Sequence, residues 1–126
     1  MYYIIYGFLY LLSLLPYPVI YFIGDGIYFF IYYVFGYRRK IVIGNLKIAF
    51  PDKTDKEIGK IAKQFYHNLA DTFMEIIKLI SMSDKTFAKR CTGDFSVIDE
   101  LIKKGKNVQL HAGHQFNWEF GSLFMS

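Results

Sequence analysis

The sequence begins with a long apolar segment and continues as a charged one. Residues 1–35 contain a single formally charged side chain, Asp25, and every other lysine, arginine, aspartate and glutamate follows them. The chain is 53% hydrophobic and 20% aromatic, and its excess over a typical soluble domain lies in this first segment. A length of 126 residues allows one compact domain with an appended segment. We therefore expect residues 1–36 to be membrane-anchoring apolar helices and residues 37–126 to form the domain.

Two prolines divide the apolar segment into two runs. Residues 2–15 and 19–35 are each shorter than the roughly 20 residues that a helix needs to cross a bilayer, and Pro16 and Pro18 lie between them. We favour a hairpin of two short helices in one leaflet, because Asp25 would be costly near the bilayer centre. A spanning second helix and a buried helix pair of a soluble protein are the alternatives. A cleaved signal peptide is not expected, because no basic residue precedes the first run.

Basic residues and the single cysteine narrow the class of protein. Arg38, Arg39 and Lys40 directly follow the apolar segment, which by the positive-inside tendency places the rest of the chain in the cytoplasm. This run favours anionic headgroups, and it also fits a solvated helix end. The net charge of +4 is too small to indicate nucleic-acid binding. Cys91 stands alone, which excludes an internal disulfide and a thiolate metal cluster and indicates a reducing compartment.

A long helix is predicted to begin after Thr54. Thr54 and Glu57 form a T-x-x-E capping box, in which each side chain accepts a hydrogen bond from a free backbone N–H at the helix start. Apolar residues then recur at spacings of three and four, which predicts one stripe facing a core. The members of that stripe are Ile58, Ile61, Phe65, Leu69, Phe73, Ile76 or Ile77, and Ile80. His67 is interpreted as a surface or partly buried histidine rather than a catalytic one.

The next segment predicts a helix, a strand and another helix in succession. Ser83 and Ser96 are predicted to cap two short helices, and Gly105 suits the left-handed position just past the second. Residues 107–110 (NVQL) have the pattern of a short strand. This order is typical of a mostly parallel sheet with functional loops at the carboxyl ends of its strands. The predicted fold class is therefore α/β.

His114 and Glu119 form a His-x4-acid pair just beyond the predicted strand. The spacing alone is weak support, so the local setting carries the argument. A carboxylate in the first turn of the next helix can hold one imidazole N–H and leave the other ring nitrogen free as a general base. His111 is the second choice, because Phe116 rather than an acid lies five residues after it.

The segment 113–119 (GHQFNWE) resembles the His-x4-acid motif, in its H-x-x-N-W-E form, of the bacterial lipid A biosynthesis (lauroyl/myristoyl) acyltransferases and related lysophospholipid acyltransferases. The resemblance extends upstream to residues 38–51, where Arg38-Arg39 precede Asn45-Leu46 and Ala49-Phe50-Pro51. One departure is Phe116, which stands where many members have glycine. The resemblance covers nearly the whole chain.

The resemblance implies an acyltransferase with a glycerolipid-acyltransferase-like α/β domain. By it, His114 takes a proton from the acceptor hydroxyl, Glu119 orients His114, and Gly113, Asn117 and Trp118 position the substrate. It implies a thioester donor, either acyl carrier protein or acyl-CoA, with no metal and no other cofactor. The implied acceptor is a lipid A precursor or a related membrane lipid.

The resemblance also implies a location and an extent. Lys103, Lys104 and Lys106 are candidate contacts for an acidic carrier protein, although a solvated helix end explains them equally. Family members are much longer, so we expect this chain to be the N-terminal part of such an enzyme, with an incomplete α/β domain. The expected location is the inner (plasma) membrane, with the catalytic part on the cytoplasmic face. Two alternatives stay open: a lysophospholipid or amino-acid lipid as acceptor, and a non-catalytic membrane-anchoring or interaction protein.

Overall fold

The structure is a computed structural model that describes residues 1–109, 111 and 117–124. The chain forms two compact units, Met1–Ser81 and Met82–Ser126, which we call unit 1 and unit 2. Gly113 and His114 of the predicted site lie outside the described residues.

The regular structure of the described residues is helical in both units. Unit 1 contains α1 (Tyr2–Ser13), α2 (Tyr17–Phe29), α3 (Arg39–Ala49) and α4 (Asp55–Leu79), and α2 continues as a π-helical turn, Phe30–Val34. Unit 2 contains α5 (Asp84–Arg90), α6 (Ser96–Lys103) and α7 (Trp118–Phe124).

Side-chain hydrogen bonds cap the starts of α4 and α5. Both hydrogen bonds of the predicted capping box at Thr54 and Glu57 are present at the start of α4, and the bonds from Thr54 hold the pKa of Glu57 below its ordinary value. Ser83 caps α5 as predicted, by accepting a hydrogen bond from the backbone N–H of Thr86. Ser96, however, is the first residue of α6 rather than its cap, and its N–H donates to a carboxylate oxygen of Asp94 at 2.9 Å.

The core of unit 1 lies where α4 packs against α2. Its buried side chains on α4 repeat every four residues, and Gly24 on α2 lets the two helices approach closely. The buried residues of α4 are Ile58, Ala62, Tyr66, Ala70 and Met74. The predicted stripe was therefore correct at Ile58 but displaced by about one position beyond it, and Phe73 is 55% exposed. Small alanines face the partner helix because close helix packing needs little side-chain volume at the contact.

The predicted α/β class is wrong. The described residues contain seven α-helices and a π-helical turn but no strand, and residues 107–109 of the predicted strand have no regular structure. Leu110, the last residue of that strand, lies outside the described residues. A strand needs a neighbouring strand to pair its backbone groups, and within the described part of the chain none is available. Residues 39–49, for which no element was predicted, form α3.

The two apolar helices do not both qualify as membrane-spanning, and their arrangement as a hairpin in one leaflet stays a prediction. Within the described residues, one helix, Tyr17–Val34, is long and apolar enough to cross a membrane by length and composition. The other apolar helix, α1, has 12 residues and is too short to do so. The predicted break at Pro16 is confirmed, because α1 ends at Ser13 and Pro16 is the N-cap of α2.

Candidate active site

The described part of the predicted active site is the start of α7. Asn117, Trp118 and Glu119 are consecutive there, and Trp118 is the first helical residue. Trp118 is 49% exposed, whereas Asn117 and Glu119 are half-buried. The structure brings these three residues together at one helix end. The distance from His114 to Glu119 falls outside the described residues.

Asn117 makes the turn that starts α7. Its φ angle of 61° lies in the left-handed region, which asparagine adopts more readily than most residues. Its carbonyl accepts hydrogen bonds from the N–H groups of Phe120 at 3.1 Å and Gly121 at 3.4 Å. Glu119 thereby falls in the first helical turn, as the sequence predicted.

Contacts with α5 hold α7 in place. The rings of Phe120 and Phe87 are stacked, with centroids 5.7 Å apart and planes inclined by 16°. The Cys91 thiol also donates to the carbonyl oxygen of Phe120, at 3.8 Å. Because Phe120 directly follows Glu119, these contacts fix the helix turn that carries the predicted acid.

The other predicted residues of unit 2 lie on its surface. His111 is exposed, as are Lys103, Lys104 and Lys106. Lys104 forms an ion pair with Glu100 one turn earlier on α6, so part of its charge is already compensated. Within the described residues, no group of three or more histidine, cysteine, aspartate or glutamate side chains is arranged to hold a metal ion.

A second polar cluster, in unit 1, was not predicted. His67 on α4 lies between two carboxylates, with Nε2 2.9 Å from Asp25 and Nδ1 3.1 Å from Asp71. An imidazole donates hydrogen bonds from both ring nitrogens only as the imidazolium, and from one of them when it is neutral. Burial raises the pKa of Asp71, and the charge of His67 opposes that rise. The signal in the sequence was Asp25, the only charge in the apolar third, which needed a partner elsewhere.

Several residues of the segment 38–51, which resembles the acyltransferase family upstream of the His-x4-acid motif, line a groove in unit 1. The groove lies between α3 and α4 and has a volume of about 430 Å³. Its walls are mostly apolar side chains, with Arg38 and Asn45 as polar members. The apolar and aromatic lining residues are Tyr37, Ile41, Val42, Phe65, Tyr66 and Leu69. Arg38 has a left-handed φ of 53° at the start of α3, a conformation that costs energy for a residue other than glycine.

Comparison with known proteins gives one match. The family model described as bacterial lipid A biosynthesis acyltransferase matches residues 1–126, the full sequence. No curated protein and no solved structure matches the chain. The family match is independent of the geometry of α7, and it includes both the apolar segment and the His-x4-acid segment. The chain therefore belongs to the bacterial lipid A biosynthesis acyltransferase family.

Proposed function

We propose that the protein transfers a fatty acyl chain from a thioester to a hydroxyl of a lipid A precursor or a related membrane lipid, with His114 as general base. Acyl transfer is the activity of its family. The observation that carries the finer proposal is the match over residues 1–126 together with the H-x-x-N-W-E sequence at residues 114–119.

Two features of α7 support a role for Glu119. It lies in the first turn of the helix that follows the segment with His114, and Phe120 beside it is packed on Phe87. A carboxylate held in this way can accept one imidazole N–H, fix the tautomer of the ring and stabilise the imidazolium that forms during the reaction.

The proposed reaction moves one proton from the acceptor hydroxyl to the leaving thiolate by way of His114. Nε2 or Nδ1 of His114 takes the proton of the acceptor hydroxyl while that oxygen attacks the thioester carbonyl carbon. The carbon–sulfur bond then breaks, the ester remains on the acceptor, and the leaving thiolate recovers the proton from the imidazolium. General-base catalysis of this kind supplies about 10² to 10⁴ in rate, so positioning and an oxyanion site must add to it. Asn117 and Trp118, next to Glu119, are our candidates for positioning the substrate.

The proposed setting is the cytoplasmic face of the inner membrane. An apolar segment followed by the basic run at residues 38–40 supports this orientation. The exposed lysines Lys103 and Lys106 support an acidic carrier protein as donor, because charge complementarity speeds such encounters. Acyl-CoA is the alternative donor.

The test is acyl transfer from labelled acyl carrier protein to membrane lipid extracts, with the complete gene product. We expect His114→Ala to lower the rate by about 10² to 10⁴. Glu119→Gln should lower it less, because the amide keeps the size of the side chain and loses only its charge. The labelled lipid product identifies the acceptor and separates a lipid A precursor from a lysophospholipid or amino-acid lipid.

His111→Ala is the matched control, because it removes a neighbouring exposed histidine and should leave the rate close to that of the native protein. Undiminished transfer in folded His114→Ala protein would contradict the proposed chemistry. Absence of transfer by the native complete gene product would instead favour the non-catalytic membrane-anchoring protein.

A further inference from the structure

One side of α2 and the π-helical turn is an exposed apolar face. Most of its members are three, four or seven residues apart, so they share one side of the helix. We call this the outer face, and its residues are Val19, Phe22, Phe29, Phe30 and Val34, each between 42% and 76% exposed. The opposite side carries Ile20, Gly24 and Tyr32, which are buried. Contiguous apolar surface of this kind marks an interaction site.

The short helix α1 adds more exposed apolar surface. Tyr2, Ile4, Phe8 and Leu11 are each at least 66% exposed. With 12 residues, α1 is roughly 18 Å long, which is about half the thickness of a bilayer's hydrocarbon core. This length suits insertion into one leaflet.

Polar contacts with α4 follow α2 along its whole length. At the beginning of α2, Lys78 donates to the carbonyl oxygens of Ser13 at 2.7 Å and Leu15 at 2.8 Å. Further along, the Tyr21 hydroxyl donates to Glu75 at 2.6 Å.

The same contacts continue to the far end of the apolar segment. His67 pairs with Asp25 at 2.9 Å, and the Tyr66 hydroxyl donates to the carbonyl oxygen of Tyr37. The two helices are therefore antiparallel, and α4 accompanies α2 from one end to the other.

This pairing decides between two orientations in a membrane. If α2 stood across the bilayer, α4 would be carried in beside it, with Lys63, His67, Asp71, Glu75 and Lys78 at successive depths. Ionisable side chains in the hydrocarbon core are strongly disfavoured. If α2 lies parallel to the surface instead, its outer face enters the apolar region and the charged helix stays on the water side.

Charges at the ends and edges of the outer face suit an anionic surface. Arg38 and Lys40 are exposed immediately after the apolar segment, where they can meet negatively charged headgroups. Asp25, the one acid near the outer face, already has His67 as a partner. Charge complementarity thus favours a bilayer over another apolar protein surface.

We infer that unit 1 docks in the plane of an anionic lipid bilayer, with α1 and the outer face of α2 in one leaflet and α4 above them. The inference deepens the membrane setting of the proposed function. It uses contacts within unit 1 alone, so it can fail or hold independently of the acyl-transfer chemistry.

The test measures the depth of labels along the outer face. Single cysteines at Val19, Phe22, Phe30 and Val34 are introduced into the complete gene product carrying Cys91→Ser, and each is labelled with a nitroxide. Depth is measured in vesicles of phosphatidylethanolamine and phosphatidylglycerol by relative collision with oxygen and a water-soluble nickel complex. A label at Lys60, on the exposed side of α4, is the water reference.

In-plane docking predicts similar shallow depths for all four labels and a water-exposed label at Lys60. A spanning helix would place the labels at residues 19 and 34 roughly 20 Å apart along the membrane normal, or near opposite surfaces with the labels between them near the bilayer centre. Either pattern would overturn the inference. Labels that stay unchanged when vesicles are added would also overturn it, because the outer face would then be covered by protein. Depth measurements with the same labels in His114→Ala protein show whether membrane docking is independent of the proposed catalytic role of His114.

A charge series tests the chosen surface. Replacing both Arg38→Gln and Lys40→Gln should weaken partition into anionic vesicles by roughly fivefold per charge, and the loss should shrink in high salt. The matched control, Arg38→Lys with Lys40→Arg, swaps the two basic residues and keeps both positive charges. It should bind vesicles as the native protein does. Undiminished partition of the neutralised protein into anionic vesicles would overturn the role of these charges.

Discussion

Unit 1 and unit 2 differ in how their helices are held together. Unit 1 has a buried core centred on Tyr66 and Met74 of α4, with Ile20 of α2 against it, whereas the described residues of unit 2 include no buried side chain. Instead, α5 and α7 of unit 2 meet through the half-buried pair Phe87 and Phe120. The predicted catalytic residues belong to unit 2. The comparison teaches that stability is concentrated in unit 1 and that the chemistry is assigned to the less tightly packed unit, as is common for functional segments.

The largest expected effect on stability comes from the centre of unit 1. Tyr66 is 1% exposed and its ring lies 5.4 Å from that of Tyr32, so Tyr66→Ala should lower the free energy of unfolding by about 3–5 kcal/mol. Urea unfolding in mild detergent, followed by the helical circular dichroism signal, measures this. Tyr66→Phe is the control, because it keeps the ring and leaves only the carbonyl of Tyr37 without its donor, at a cost of about 1–3 kcal/mol. A loss no larger than that of Phe87→Ala would break the contrast between the units.

An intermediate effect is expected where α2 and α4 approach most closely. A Cβ atom at Gly24 would lie 3.2 Å from Asp71 Oδ1 and 3.4 Å from Met74 Cγ, so Gly24→Leu should force the helices apart and cost about 1–3 kcal/mol. Gly26 lies two residues further on the same helix and has no atom within 4 Å of its position for a Cβ. Gly26→Leu should therefore stabilise the protein by about 0.5–1 kcal/mol through helix propensity. Equal thermal midpoints for the two variants would show that the helices are not packed at Gly24.

The smallest stability effect, and the sharpest functional one, is expected in unit 2. Removing the stacked ring by Phe87→Ala should cost about 0.5–1.5 kcal/mol, because the pair is only half-buried. It should nevertheless reduce acyl transfer, since the ring supports the turn of α7 that carries Glu119. Phe73→Ala is the matched control, because Phe73 is 55% exposed on α4 and should change neither quantity. An unchanged rate of acyl transfer in Phe87→Ala protein would show that catalysis does not depend on the packing of α7 against Phe87.

Much of the helical structure could be predicted because it depends on nearby residues. The capping box at Thr54 and Glu57, the cap at Ser83 and the left-handed Gly105 all form between residues close in sequence, and all are confirmed. The strand at residues 107–110 failed because a strand is stabilised by a distant partner, and pattern alone does not reveal whether that partner exists. No element was predicted for residues 39–49, where α3 forms, and none of the side chains of α3 is fully buried.

The sequence motif of the candidate site could be predicted, whereas the contacts that hold its residues in place could be predicted only in part. The start of α7 at Trp118 agrees with the expected helix, and the contact of Phe120 with Phe87 could not be foreseen from spacing. The roles of His114 and Glu119 remain predictions that the transfer assay decides. The cluster around His67 was unpredictable in the same sense, because Asp25 lies 42 residues away from it in the chain.

The sequence by itself determined the division into an apolar beginning and a charged remainder, the starts of α4 and α5, and the family. These features follow from composition, from hydrogen bonds within one helical turn, and from a short motif. Only the tertiary structure decided which side of α4 is buried, how the charge of Asp25 is compensated, and that charged side chains accompany α2 along its length. The reason is physical, because burial and ion pairing depend on which helices approach each other. Small residues such as Gly24 and Ala70 form the close contact between α2 and α4, whereas hydrophobic periodicity predicts that their larger apolar neighbours are buried.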